Sequence, residues 1–197
     1  MARGPQALGG ESRLVALKAV DAGYPLRGTL RLNSSPGAPE QPAPGIPPLG
    51  AVWVDAQLLD ALALHVGDAL MLGSAPFKIA ALIASEPDRG AGFMNFAPRV
   101  MVNAADIAAT ALVQPASRVN YRLAVAGEDV VVARFVAWGN AQIKGQAVGG
   151  THSAGAAKDA PAQAEPLRGV RIESTQSGRP ELSQTLERAE KFLSLVA

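Results

Sequence analysis

The alternation and spacing of apolar residues predict a small α+β unit between Ala51 and Ala84. Ala51–Val54 is a strand-like run that ends on Asp55. Aspartate suits a helix N-cap, because its carboxylate can accept from the free N–H groups of the first turn. Leu58, Leu59 and Leu62 follow at helical spacing, and His65-Val66-Gly67-Asp68 breaks the helix. Ala69–Leu72 and Phe77–Ala84 read as two further strands, with Gly73-Ser74-Ala75-Pro76 as the turn between them. The expected core positions carry only apolar side chains.

The flanking pattern is more mixed. Residues 1–13 are polar and Gly-rich and are expected to be disordered. Leu14–Val20 reads as a strand, with Leu14, Ala16, Lys18 and Val20 on one face. Thr29–Leu32 is a second strand-like piece. Asn33–Gly50 holds six prolines, at 36, 39, 42, 44, 47 and 48. A segment so poor in ladder donors is expected to run extended and exposed. Arg99–Val102 is a short strand, after which Asn103 and Asp106 have the spacing of a capping box. Val119–Val125 alternates as a strand, and Asp129–Ile143 is helical, with Val131, Phe135 and Trp138 on one stripe. Lys144–Arg168 has the Gly/Ala/Gln-rich composition of a flexible insert. Val170–Ser174 and Pro180–Val196 complete the pattern as a strand and a helix. The expected core comprises Leu58, Leu62, Leu72, Phe77, Ile79 and Leu82 in one lobe, and Leu17, Tyr121, Leu123, Phe135, Leu186 and Leu193 in the other.

Composition removes several function classes. The chain has 197 residues and a net charge of +1, with aromatics at 5%. Without a basic patch or stacking aromatics, no nucleic-acid partner is expected. There are no cysteines, which excludes disulfides, thiolate nucleophiles and cysteine-ligated metals. The longest purely apolar run, Ile79–Ala84, is far short of the ~20 residues that span a bilayer, and Met1-Ala2-Arg3-Gly4 lacks an apolar signal-peptide region behind it.

Candidate chemistry is sparse. His65 stands beside Asp68 at the end of the first helix, a place the helix dipole favours for histidine. The other histidine, His152, lies in the expected flexible insert. No nucleophile elbow and no phosphate-binding loop occurs. No catalytic residue, metal ligand or cofactor is assigned. Glu86-Pro87-Asp88-Arg89-Gly90-Ala91-Gly92-Phe93 is the one loop that concentrates charge, glycine and an aromatic. It reads as a turn in which Arg89 pairs locally with Glu86 or Asp88. It also reads as a contact loop for a partner or substrate, made of Glu86, Asp88, Arg89, Phe93, Met94 and Phe96. In the final helix, Leu182, Leu186, Ala189, Leu193 and Val196 form an apolar stripe. That stripe suits packing on a sheet, or a stalk toward a membrane carried by Leu186, Leu193 and Val196.

Six words occur in order: Tyr24-Pro25-Leu26-Arg27-Gly28, Val52-Trp53-Val54-Asp55, Val66-Gly67-Asp68, Glu86-Pro87-Asp88-Arg89-Gly90, Phe96-Ala97-Pro98-Arg99-Val100 and Glu187-Arg188-Ala189-Glu190-Lys191-Phe192-Leu193. Their order resembles the first large extracytoplasmic domain of FtsX-like/MacB-like ABC transporter permeases, of the YbbP type. The resemblance covers residues 14–32, 50–135 and 169–197.

It implies an α+β fold in two lobes. One is a porter-like small mixed sheet with helices on one face, built from 14–48 and 113–197 with 144–168 as a flexible insert. The other is an inserted α+β lobe, 49–112. It also implies a non-catalytic periplasmic domain set between inner-membrane helices. A separate ABC ATPase subunit would hydrolyse ATP, and a periplasmic partner or a hydrophobic, lipid-like substrate would be engaged. The rival reading of the residues is a stand-alone soluble α+β binding domain or a small hydrolase.

Overall fold

Only Leu14 and Val15 separate two strands that stand at opposite ends of the sheet order, so the sheet curls back on itself. The computed structural model describes residues 1–5, 10–89, 97–144 and 169–173. The chain divides into two units, Met1–Ala124 and Val125–Ala197.

In the first unit the strands are β1 (Ala2–Arg3), β2 (Ser12–Arg13), β3 (Ala16–Val20), β4 (Arg31–Asn33), β5 (Gln41–Pro42), β6 (Ala51–Val54), β7 (Ala69–Leu72), β8 (Ala75–Ser85) and β9 (Arg99–Asn103). Their order is β2-β1-β7-β8-β6-β9-β3, with β4 on β8 and β5 on β4. β3 runs parallel to β9, and β2 antiparallel to β1. Followed around the sheet, β2 and β3 point the same way. They are two halves of one bent strand that supplies both edges.

Helix α1 (Ala56–Leu62) follows β6 directly and ends on Ala63 in a left-handed conformation. Its Leu58, Leu59 and Leu62 join Val52, Val54, Leu70, Leu72, Phe77, Ile79, Val100 and Val102 in one core. The other face of the sheet buries Trp53, Met101, Val20, Leu30, Leu32, Ala81 and Ile83. All four residues of β6 are buried, as expected for an apolar run with a core on each side. The fold is α+β, and the six core residues expected in 49–112 are all buried.

The structure corrects several expectations. The N-terminus is not frayed throughout: Ala2 pairs with Arg13 and with Leu72 and is fully buried. Its small side chain fits within the core. The turn after β7 is only Gly73-Ser74, and Ala75 and Pro76 already belong to β8. The Pro-rich segment is not a bare spacer. Gln41–Pro42 pairs with Arg31–Leu32, the Ala43 N–H donates to the Leu30 carbonyl at 2.8 Å, and Pro47 is fully buried. Ala43 and Ile46 supply the apolar contacts that seat it on the second core.

Strands from 14–48 share one sheet with strands from 49–112, because the parallel β3–β9 ladder and the β4–β8 ladder join them. Val119–Val125 forms no strand, and Tyr121 and Leu123, expected in the core, are 86% and 85% exposed. Alternation makes a strand only where a partner strand receives it, and none of the nine strands pairs with this segment. Leu17 is half-buried against the first core.

After β9, a 3₁₀ turn (Ala104–Asp106) leads into α2 (Ile107–Thr110). The Asn103 carboxamide accepts from the Ala105 N–H at 3.0 Å, as a cap should. The capping box is not completed, because the Asp106 carboxylate accepts from the Gly50 N–H at 2.9 Å.

In the second unit, α3 (Asp129–Ile143) has the expected bounds. Phe135 and Trp138 stack at 5.7 Å between ring centroids, and Phe135 stays partly exposed. Ile172 packs where Gly139 leaves room. Val170–Glu173 is not a strand. The final helix and the insert from 145 to 168 lie outside the described residues. Among the described residues, no helix is long and apolar enough to cross a membrane.

Three substitutions test this packing by urea unfolding. Leu62→Ala or Phe77→Ala should each cost ~2–5 kcal/mol, since both side chains are buried. Gly73→Ala should also destabilise. Its φ of +57° is left-handed, and an added Cβ would run into the Thr110 carbonyl oxygen. Wild-type stability of Gly73→Ala would mean that the β7–β8 corner is built otherwise, and of Leu62→Ala or Phe77→Ala that the first core is.

Candidate functional site

Charged residues gather at one end of the curled sheet, where β6 and β8 finish and β9 begins. Asp55 stands at the N-cap position of α1, but its side chain caps nothing. The carboxylate turns to the neighbouring segments instead. It accepts from Arg89 Nη1 at 3.0 Å and Nη2 at 2.6 Å, and from the Arg99 backbone N–H at 2.8 Å. One carboxylate thus holds both stems of the excursion between β8 and β9. The expected N-cap site is right and the expected bonding is not: a bidentate guanidinium outcompetes first-turn N–H groups that water can reach.

Glu86 does the same from the other side. Its carboxylate has no exposed surface, and it accepts from Lys18 Nζ at 2.7 Å and from Arg99 Nε at 3.0 Å. Lys18 also donates to Asp88 at 2.7 Å and to the Tyr24 hydroxyl at 2.9 Å. The Tyr24 O–H donates to Asp88 at 2.6 Å. Lys18 Nζ lies 4.3 Å from the Tyr24 ring centroid, farther than from the oxygen, so the hydroxyl is the main contact. Arg89, expected to pair within its own turn, reaches Asp55 instead.

The network is balanced. Lys18, Arg89 and Arg99 face Asp55, Glu86 and Asp88. Burial, and then the Asp88 carboxylate beside it, push the Tyr24 phenol well above its ordinary value. Burial pushes the Asp88 carboxyl up, but the Lys18 and Tyr24 donors outweigh it and hold the group below its ordinary value. The Asp55 carboxylate raises the Arg89 guanidinium against the opposing effect of burial. Gly28, at a φ of +80°, lets the turn from Tyr24 settle onto Pro87; a Cβ there would come within 2.6 Å of the proline Cβ.

Of the residues expected to form a contact loop, the structure therefore brings Glu86, Asp88 and Arg89 together, but as internal partners. Phe93, Met94 and Phe96 lie outside the described residues, as do Leu186, Leu193 and Val196. Lys18, Tyr24, Asp55 and Arg99 were not legible as parts of this network. One signal pointed to Lys18: a lysine on the otherwise apolar face of a strand needs a carboxylate close by. His65 is 88% exposed in its side chain, with Nδ1 3.6 Å from Asp68, and takes no part. Among the described residues, no group of three His, Asp or Glu side chains is placed to hold a metal. Beside the network, an open groove of about 520 Å³ is lined by Ser12, Arg13, Leu14, Gln57, Ala61, Ala97 and Pro98.

The chain is similar to the uncharacterized ABC transporter permease YbbP of Escherichia coli (strain K12), with 35% identity over 137 residues. The match takes in 69% of this chain and 16% of the permease, so the chain spans about one-sixth of that relative's length. No family model and no solved structure matches the chain.

The network's energetics are testable. Glu86→Ala strips Lys18 and Arg99 of their shared buried partner and should destabilise by about 3 kcal/mol or more in urea unfolding. His65→Ala should change nothing measurable. For Asp88, the folded value lies below the ordinary 3.8. Its contribution is therefore present above that pH and lost as pH falls through the folded value. Asp88→Asn should be less stable than wild type at pH 7, and the difference should shrink below pH 3.8. A gap that stays constant from neutral to acid pH would show that the Asp88 charge contributes nothing.

Proposed function

We propose that this chain is the periplasmic domain of an FtsX-like/MacB-like ABC transporter permease, set between helices of the inner membrane. Its role is non-catalytic. It engages a substrate or a protein partner outside the membrane and couples that contact to helix movement. ATP is hydrolysed in a separate ATPase subunit that joins the full-length permease.

The observation that carries this reading is the 35% identity to a permease over most of the chain. The site agrees with it, because every strong acid and base in the network is matched by a partner. Such a network holds a scaffold together. In this reading Glu86, Asp88 and Arg89 form the fixed base of the contact loop, with Phe93, Met94 and Phe96 beyond it. Leu186, Leu193 and Val196 belong to a stalk toward the membrane.

Topology is the decisive test. Leu49 is 69% exposed, so Leu49→Cys in a cysteine-free full-length permease should react with a membrane-impermeant maleimide in cells whose outer membrane alone is permeabilised. Labelling only after the inner membrane is broken would place the domain in the cytoplasm and return the chain to a soluble binding domain or hydrolase. The isolated chain should show no esterase, phosphatase or ATPase turnover.

A further inference from the structure

We propose that the turn Tyr24–Gly28, locked against Pro87, is the tip through which this domain grips a protein partner, with Leu26 and Arg27 as the contacting side chains. The proposal deepens the reading above and rests on it: it says where the domain would engage a protein partner and what kind of surface fits.

The residues first expected to make contact are held internally. Glu86 is enclosed by Lys18 and Arg99, Asp88 is held by Lys18 and Tyr24, and Arg89 by Asp55. Those six charges cancel. Arg27 is exposed, and among the described residues its guanidinium has neither an acidic partner nor a hydrogen bond. It is the uncompensated charge on this tip. Beside it, Leu26 is 48% exposed.

Single exposed leucines are common on protein surfaces. Leu26 differs because its backbone is fixed on both sides. Tyr24 is tied to Asp88 and Lys18, and Gly28 lies directly on Pro87. A side chain carried on a fixed turn adds little backbone ordering to the cost of binding. The matching surface is an apolar hollow with a carboxylate at its rim. An anionic bilayer is the weaker fit, since one basic residue contributes only about 1 kcal/mol at a membrane surface.

The test places the photo-crosslinker p-benzoylphenylalanine at position 26 of the full-length permease in cells, with the same group at position 49 as control. The expected result is a discrete protein adduct at 26 that is absent at 49. The captured protein is then purified and titrated against the 197-residue chain. Arg27→Glu and Leu26→Ala should each weaken binding by about tenfold or more with an unchanged circular dichroism spectrum. A carboxylate-to-lysine change at the crosslinked site of the partner should restore binding to Arg27→Glu.

Three results would overturn the proposal: no adduct at 26 beyond that at 49; a titration indifferent to Arg27→Glu; or flotation of the chain with equimolar phosphatidylglycerol–phosphatidylethanolamine vesicles that Leu26→Asp abolishes. Maleimide labelling reports separately on the side of the membrane, so failure of the tip and failure of the periplasmic reading are distinguishable.

Discussion

A buried carboxylate must be neutralised where it sits, and Glu86 imposes that condition on the rest of the first unit. Its side chain has no exposed surface. Leaving such a group unpaired costs several kcal/mol. Its two partners come from two strands of one parallel ladder, Lys18 in β3 and Arg99 in β9. The ladder places Ala16 opposite Arg99 and Lys18 opposite Met101, so both cations reach the end of β8 together. A one-residue slip would turn Lys18 to the other face and leave Glu86 with one partner. The ion pairs and the sheet register therefore specify each other. Once Lys18 is fixed, its remaining donors fix Asp88 and Tyr24, and through Tyr24 the turn that rests on Pro87.

Asp55 extends the same logic to the excursion between β8 and β9. A carboxylate at the start of α1 holds Arg89 before the excursion and the Arg99 N–H after it. The stems are therefore set by the helix start and by the strands. The network thus fixes both stems, Arg89 and Arg99, against the start of α1.

Much of the first unit was legible in the sequence, because local patterns there agree with the final packing. β6, α1, β7 and the body of β8 follow from alternation and helical spacing, and Leu58, Leu62, Phe77 and Ile79 are buried as expected. What was hidden was long-range. Nothing in Ser12–Val20 announces that one bent strand will serve both edges of the sheet. Ala2 is too small to signal a core residue. In Asn33–Gly50 the prolines suggested exposure, and two intervening apolar residues, Ala43 and Ile46, decided otherwise. Val119–Val125 failed in the opposite sense, since its alternation was clear but no edge received it. Asp55 was read from its neighbours in sequence, whereas its partners lie 34 and 44 residues away.

The words that carried the family resemblance acquire a physical meaning here. Tyr24–Gly28 supplies the hydroxyl and the glycine that meet Asp88 and Pro87. Val52–Asp55 supplies the doubly buried strand and the carboxylate that holds the stems. Glu86–Arg89 and Arg99 supply the rest of the network. Four words far apart in sequence thus meet in one cluster of side chains, and each is needed for another to be satisfied. Loss of one partner would leave a buried charge uncompensated, so the words stand or fall as a group. A resemblance built on them reports the scaffold. Leu26 and Arg27 project from a surface that the network leaves unpaired.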